Sequence, residues 1–229
     1  MSRARSSTQT LYVSGRVSVI KMKYYLSSFK VAIEPEKFKA LFPKNRRTGY
    51  IPNALDFTGA DKEKVNAHID SDIHELTGLG LQVEMLDLAA YFGKQTELKS
   101  KVDELGAVWV SGGNVFVLRQ AMKLSGFDEL LKLLSQKNEF LYSGYSAGCC
   151  VLSPKLDAYK IVDDATDTPY QELDTVIWDG IGLIDYAFLP HFDSDHPESS
   201  DIDKEIKFCK ANNVPYKALR DGEALIFEQ

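Results

Sequence analysis

From residue 24 onward, short apolar runs alternate with longer stretches whose apolar positions recur every three or four residues. Residues 24–29, 49–51, 81–86, 107–110, 140–143 and 186–189 are compact apolar runs bounded by turn-forming residues, and they read as strands. Between them, residues 35–42, 61–79, 96–105, 115–124, 128–136 and 200–211 carry a helical period. The clearest is 61–79: Val65, Ile69, Ile73 and Leu76 make one apolar stripe, and Gly78 and Gly80 end it. Strand and helix in alternation predict an α/β three-layer sandwich, with a mostly parallel sheet covered on both faces. Active sites in such sheets lie at the carboxyl ends of the strands.

One strand end carries an unusual sequence. Gly144-Tyr145-Ser146-Ala147-Gly148 follows the run 140–143 directly. Gly-x-Ser-x-Gly between a strand and a helix puts a serine on a sharp turn with its hydroxyl exposed. The first glycine permits the turn and the second lets the next helix pack close to the strand. An ordinary strand-to-helix turn can have the same five residues, so the rest of the chain has to supply a base, an acid and an oxyanion hole.

Of the four histidines, His68 and His74 fall in the helical stretch 61–79 and are expected to pack or be solvated. His191 follows Leu189-Pro190 at the end of the run 186–189, so it leaves the same sheet edge as Ser146 and is the base candidate. His196 lies in an acidic loop and is expected to be solvated. His191, Asp193, Asp195 and His196 also invite a metal reading. It is set aside because alternating acids in a loop are usually solvated and no third histidine joins them. Asp163 and Asp164 lie between serine and histidine, and Asp164 is preferred narrowly as the acid. Gly112-Gly113 closes the run 107–110 and opens a helix, so the Gly113 and Ala147 N–H groups are the oxyanion candidates. No Gly-Lys-Ser/Thr follows those glycines, and the third glycine of a dinucleotide fingerprint is missing.

Composition changes this picture little. The 229 residues are 44% hydrophobic and 26% charged, enough for one large α/β domain with a full core. The net charge of −6 disfavours nucleic acid as the main partner. No apolar run approaches the ~20 residues of a membrane helix. Cys149, Cys150 and Cys209 cannot all pair, and no Cys-x-x-Cys is present, which fits a reducing cytoplasm. Residues 1–21 contain no acid, carry Arg3, Arg5 and Arg16, and are rich in serine. They imitate a transit peptide, but they are expected to form an extension outside a single domain spanning 22–229.

Ser-Gly-Gly-Asn at a strand end (Ser111 to Asn114), then Gly-Tyr-Ser-Ala-Gly, then Leu-Pro-His-Phe (Leu189 to Phe192), resembles the peptidase E family of aspartyl dipeptidase and cyanophycinase type. Trp178 to Leu183 and Asp221 to Leu225 also resemble family segments, and the likeness runs from Met22 to about Phe227. The resemblance implies a class I glutamine amidotransferase-like, flavodoxin-like fold. It also implies a serine peptidase acting on short peptides through an acyl-enzyme on Ser146. His191 would be the base, an acid near Asp164 the third member, and Gly113 with Ala147 the oxyanion hole, with no cofactor. A short peptide is then the expected partner, without nucleic acid or membrane, and a homodimer is left open. The chain departs from the aspartyl dipeptidase pattern after His191, where Asp193, Asp195, Glu198, Asp201, Asp203 and Glu205 stand without an arginine. Like charge would repel an amino-terminal aspartate, so neutral or amine-bearing peptides are expected instead. The alternatives are an esterase or amidase with the same elbow, a thiol amidotransferase using Cys149, or a non-catalytic module on this fold.

Overall fold

The computed structural model describes residues 22–136, 140–173 and 175–229. The expected extension over residues 1–21 lies outside the described residues. The main sheet has six strands: β1 (Lys23–Ser27), β2 (Arg47–Ile51), β3 (Gln82–Met85), β4 (Ala107–Val110), β5 (Leu141–Tyr145) and β8 (Ala224–Glu228), in the order β3-β2-β4-β5-β1-β8. All neighbours are parallel except β8, which runs antiparallel to β1 along the edge. The helices are α1 (Pro35–Lys39), α2 (Lys62–Gly78), α3 (Gln95–Val102), α4 (Val115–Ser125), α5 (Phe127–Leu134), α6 (Ala147–Cys150) and α7 (Ser199–Ala211). This is the predicted α/β sandwich with a mostly parallel sheet.

Alternation along the strands assigns side chains to the two faces. Tyr24 and Leu26 of β1 join Val108 and Val110 of β4 in a core covered by α4, α5 and α7. Tyr25 turns the other way, into a second core with Tyr50, Trp109, Tyr145 and the apolar side of α1 and α2. Helix starts follow local chemistry. The Asp61 carboxylate accepts from the Glu63 and Lys64 N–H groups, and the Asn114 side chain accepts from Phe116 and Val117 N–H.

One expectation changes. The run 186–189 does not join the main sheet. Its core forms β6 (Ala187–Leu189), which pairs in parallel with β7 (Tyr216–Ala218) as a separate two-stranded sheet. Three residues per strand and a mixed polarity in β7 left that pairing without a sequence signal. The small sheet still delivers its ends to the main one, because the His191 N–H donates to Ser28 Oγ at 2.8 Å, just beyond the carboxyl end of β1.

Candidate active site

Ser146 links β5 to α6 with φ 47° and ψ −120°, a backbone conformation that a non-glycine residue holds only under strain. Close packing around the turn imposes it. A Cβ on Gly144 would lie 2.5 Å from the Val110 carbonyl oxygen, and one on Gly148 would lie 2.4 Å from the same atom. Both elbow glycines are therefore required by the approach of β5 and α6 to β4. Tyr142 donates its hydroxyl hydrogen to the Gly148 carbonyl at 2.6 Å, and the Ser146 N–H donates to the Ser27 carbonyl at 3.3 Å. Beneath the turn, the neighbouring Tyr145 hydroxyl donates to buried Asp72 Oδ2 at 2.8 Å, and Tyr50 donates to the same oxygen at 2.9 Å. Lys30 pairs with that carboxylate at 3.2 Å. The elbow is thus tied down from below.

Gly113, at the end of β4, has φ 134°, and a Cβ there would meet the Ala54 carbonyl oxygen at 2.3 Å. Only glycine fits. Gly113 and Ser146 line the same cavity. Among the described residues the N–H groups of Gly113 and Ala147 donate to no acceptor, which leaves both available to a developing negative oxygen.

His191 is 1% exposed and has φ 60°. Its Nδ1 lies 2.8 Å from Asp221 Oδ1. Ser28 bridges the pair: its hydroxyl accepts from the His191 N–H and donates to the same Asp221 oxygen at 2.8 Å. A carboxylate at Nδ1 fixes the tautomer with its proton there and leaves the Nε2 lone pair free to act as a base. Burial holds the imidazole below its usual pKa, His196 adds to that lowering, and Asp221 opposes it.

The expected acid requires correction. Asp164 is exposed, and its Oδ1 accepts from the Thr166 N–H and hydroxyl at 2.8 and 2.7 Å, a local turn that lowers its pKa. The carboxylate set against His191 belongs to Asp221. A sequence signal existed: Asp221-Gly222 follows a short run ending at Ala218, and the segment from Asp221 was already noted as family-like. Asp163, the other candidate, accepts from the Val115 N–H at 2.8 Å at the start of α4, and loss of hydration pushes it up to about 7.

The remaining candidates fall as follows. His196 is not free in solvent but stacks on His191, with ring centroids 3.7 Å apart and an 11° tilt. Nitrogens of these two histidines and a Glu198 oxygen lie within 4.8 Å of one another. Of these, the His191 ring is already oriented by Asp221. His68 meets the Tyr145 hydroxyl, and His74 is exposed. Cys149 and Cys150 are buried, and burial pushes both thiols far above their usual pKa, the reverse of an activated thiolate. An open cleft of about 680 Å³ runs past Phe57, Thr58, Asn114 and Asp167 and shares Gly113, Val162, Asp163 and Glu198 with the cavity at Ser146.

A strained serine between two packing glycines, where a strand of a parallel sheet meets a helix, has the geometry of a nucleophile elbow. The chain belongs to peptidase family S51, whose family model matches residues 19–229. An uncharacterized peptidase of Listeria monocytogenes serovar 1/2a is 32% identical over 139 residues, which take in 60% of this chain and 63% of that protein. A protein named peptidase E from Streptomyces coelicolor is 29% identical over 81% of this chain and 70% of its own. A crystal structure from Listeria monocytogenes EGD-e, itself provisionally assigned as a peptidase E, superposes with a TM-score of 0.72 at 24% identity, covering 91% of this chain and 95% of that one. A peptidase from an acI-B1 actinobacterium superposes at 0.65 with 15% identity, over 91% and 84% of the two chains. These structures share the fold. Among the described residues no helix is long and apolar enough to cross a membrane.

Proposed function

We propose that the protein is a serine peptidase that hydrolyses short peptides through an acyl-enzyme on Ser146, with His191 as base and Asp221 as the acid that orients it. The observation that carries this is the 2.8 Å contact between His191 Nδ1 and Asp221 Oδ1, taken together with an elbow serine at φ 47°. In the reaction, His191 Nε2 takes the Ser146 proton as Oγ attacks the peptide carbonyl. The oxyanion is received by the Gly113 and Ala147 N–H groups. The imidazolium then gives its proton to the leaving amine as the C–N bond breaks. Water, deprotonated by the same nitrogen, releases the acyl group and restores the Ser146 hydroxyl. The open cleft beside the elbow suits an extended short peptide.

A fluorophosphonate probe tests the reading directly. The folded protein is expected to label on Ser146, and Ser146→Ala is expected to abolish both labelling and peptide hydrolysis. Hydrolysis that survives Ser146→Ala would overturn it.

A further inference from the structure

Helix α2 buries two of its 17 residues, Leu76 and Asp72. The second is a carboxylate in a place where the apolar stripe of the helix meets the sheet. A buried charge costs stability unless its partners offset the lost hydration. Asp72 gathers its partners from three separate elements. Tyr50 of β2 and Tyr145 of β5 both donate to Oδ2, at 2.9 and 2.8 Å. Lys30, just past β1, forms an ion pair with Oδ1 at 3.2 Å. Burial, and after it the Asp72 charge, hold both phenols far above their usual pKa, so they keep the protons they donate.

Two of those three donors belong to the segments that carry the candidate triad. β1 and β5 pair in parallel with Ser27 opposite Tyr145, so the chain leaves both strands side by side. On one side Tyr145 is followed by Ser146. On the other side come Ser28, Phe29 and Lys30. Ser28 Oγ accepts from the His191 N–H and donates to Asp221. The Phe29 ring stands between the two halves, 5.8 Å from the Tyr145 ring at 89° and 6.0 Å from the His191 ring. Lys30 itself has φ 44°, a left-handed conformation that a lysine keeps only where its surroundings impose it. Its ammonium bonds Asp72 and the Ser71 hydroxyl, the latter at 3.0 Å, and so pins that strained turn to α2.

We infer that Asp72 is a positioning residue for the proposed reaction: it holds the nucleophile through Tyr145 and the base through Lys30, and thereby sets the spacing of Ser146 and His191. This rests on the peptidase reading above. Asp72 touches neither catalytic side chain, and its effect is on their alignment, where a displacement near 1 Å costs on the order of 10² in rate. Tyr50 supplies the contrast. It donates to the same Asp72 oxygen from within β2, which carries no member of the triad. His68 also meets the Tyr145 hydroxyl, so Tyr145→Phe tests that arm without leaving a substitute partner.

The experiment measures kcat and KM for a short peptide, the rate of fluorophosphonate labelling at Ser146, and Tm, in the full chain. The variants are Asp72→Asn, Tyr145→Phe, Lys30→Met and Tyr50→Phe. Asp72→Asn is expected to lower kcat and the labelling rate by on the order of 10- to 10²-fold, with KM within a few-fold of wild type. Tyr145→Phe and Lys30→Met are each expected to lose part of that rate, and to lose little more when added to Asp72→Asn, because the shared carboxylate is already gone. Tyr50→Phe is expected to lower Tm yet stay within a few-fold in rate. Equal rate losses in Tyr50→Phe and Tyr145→Phe would overturn the inference and leave the peptidase reading intact, as would rates that simply follow Tm across the set. If Asp72→Asn does not fold, the three variants that keep the carboxylate decide the matter by the same comparison. A wild type that neither labels nor hydrolyses any peptide fails the peptidase reading instead. The positioning is then read by amide hydrogen exchange at two bonds, Ser146 N–H to the Ser27 carbonyl and His191 N–H to Ser28 Oγ. Tyr145→Phe is expected to speed exchange at Ser146 and Lys30→Met at His191, with Tyr50→Phe moving neither. Equal acceleration in Tyr50→Phe, or none in the other two, overturns it.

Discussion

Glu205 offers a stability prediction that does not depend on any substrate. Burial, with Asp163, Glu198 and Asp201 adding like charge, pushes its carboxyl up to about 9 from a usual value near 4.5. Cys150, Cys209 and Tyr159, also titratable and beside it, are raised by their own burial and contribute no positive charge. The folded state therefore holds a proton that the unfolded chain has released. Stability is lost as pH rises from the unfolded value near 4.5 and stops falling once the folded group ionises near 9. Within that window the slope is about 1.4 kcal/mol per pH unit, so Glu205 alone removes roughly 4 kcal/mol between pH 5 and pH 8. Glu205→Gln keeps the shape and cannot titrate. Its amide brings a donor that has to find a partner, a penalty of about 1–3 kcal/mol that does not vary with pH. The decisive readout is thus the difference between variant and wild type across pH. Urea denaturation at pH 5, 6.5 and 8 is expected to show the variant gaining on wild type by about 4 kcal/mol over the range. Parallel stability curves would refute the reasoning, because they would mean that the carboxyl is hydrated or paired in solution.

The acid assignment separates two residues cleanly. Asp221→Asn is expected to lower kcat by on the order of 10³–10⁴, as the His191 tautomer is lost, whereas Asp164→Asn is expected to stay within a few-fold of wild type. Comparable losses in steady-state assays would reverse the assignment. For the pH profile, kcat/KM is expected to rise through a value below 6.5 as His191 loses its proton, then level off. His196→Ala removes a like-charged neighbour and is expected to move that limb to higher pH, and Asp221→Asn to move it lower. Limbs that do not move would show that another group controls the rate. Gly148→Ala places a methyl 2.4 Å from the Val110 carbonyl oxygen and is expected to destabilise the fold by about 1–3 kcal/mol or more in thermal melts. An unchanged Tm would show that the elbow has slack.

What the sequence made legible was periodicity and the constraints on glycine. The stripe of Val65, Ile69, Ile73 and Leu76 placed a helix on the sheet because helical spacing and burial are the same fact read twice. Gly113, Gly144 and Gly148 mark strand ends where a Cβ would strike a backbone carbonyl, so their pattern pointed to the right turns. The acid was not legible for a different reason. A residue that orients a histidine is chosen by proximity in space. Asp221 reaches His191 only because β6 and β7 pair in a small sheet of three-residue strands, which have no run long enough to show a period. Asp164, nearer in sequence, satisfies its own turn.

The acidic loop after His191 illustrates the same limit from the other side. Its charge was plain in the sequence, and repulsion of an acidic substrate followed from it, but six acids in a row of solvated positions would have meant little. The fold makes one of them different. Ile202 and Glu205 lie one turn apart on the same side of α7, so the helical period that buries Ile202 in the core also buries Glu205 against the Ser146 cavity. The remaining acids of α7, Asp201 and Asp203, are turned toward solvent to different degrees and stay ordinary. A position that tertiary packing would fill with an apolar side chain instead carries a carboxylate with an unmet oxygen. Burial of that carboxyl costs stability as pH rises, so the same helical period that completes the core at Ile202 makes Glu205 the acid of α7 whose replacement by glutamine is felt most at alkaline pH.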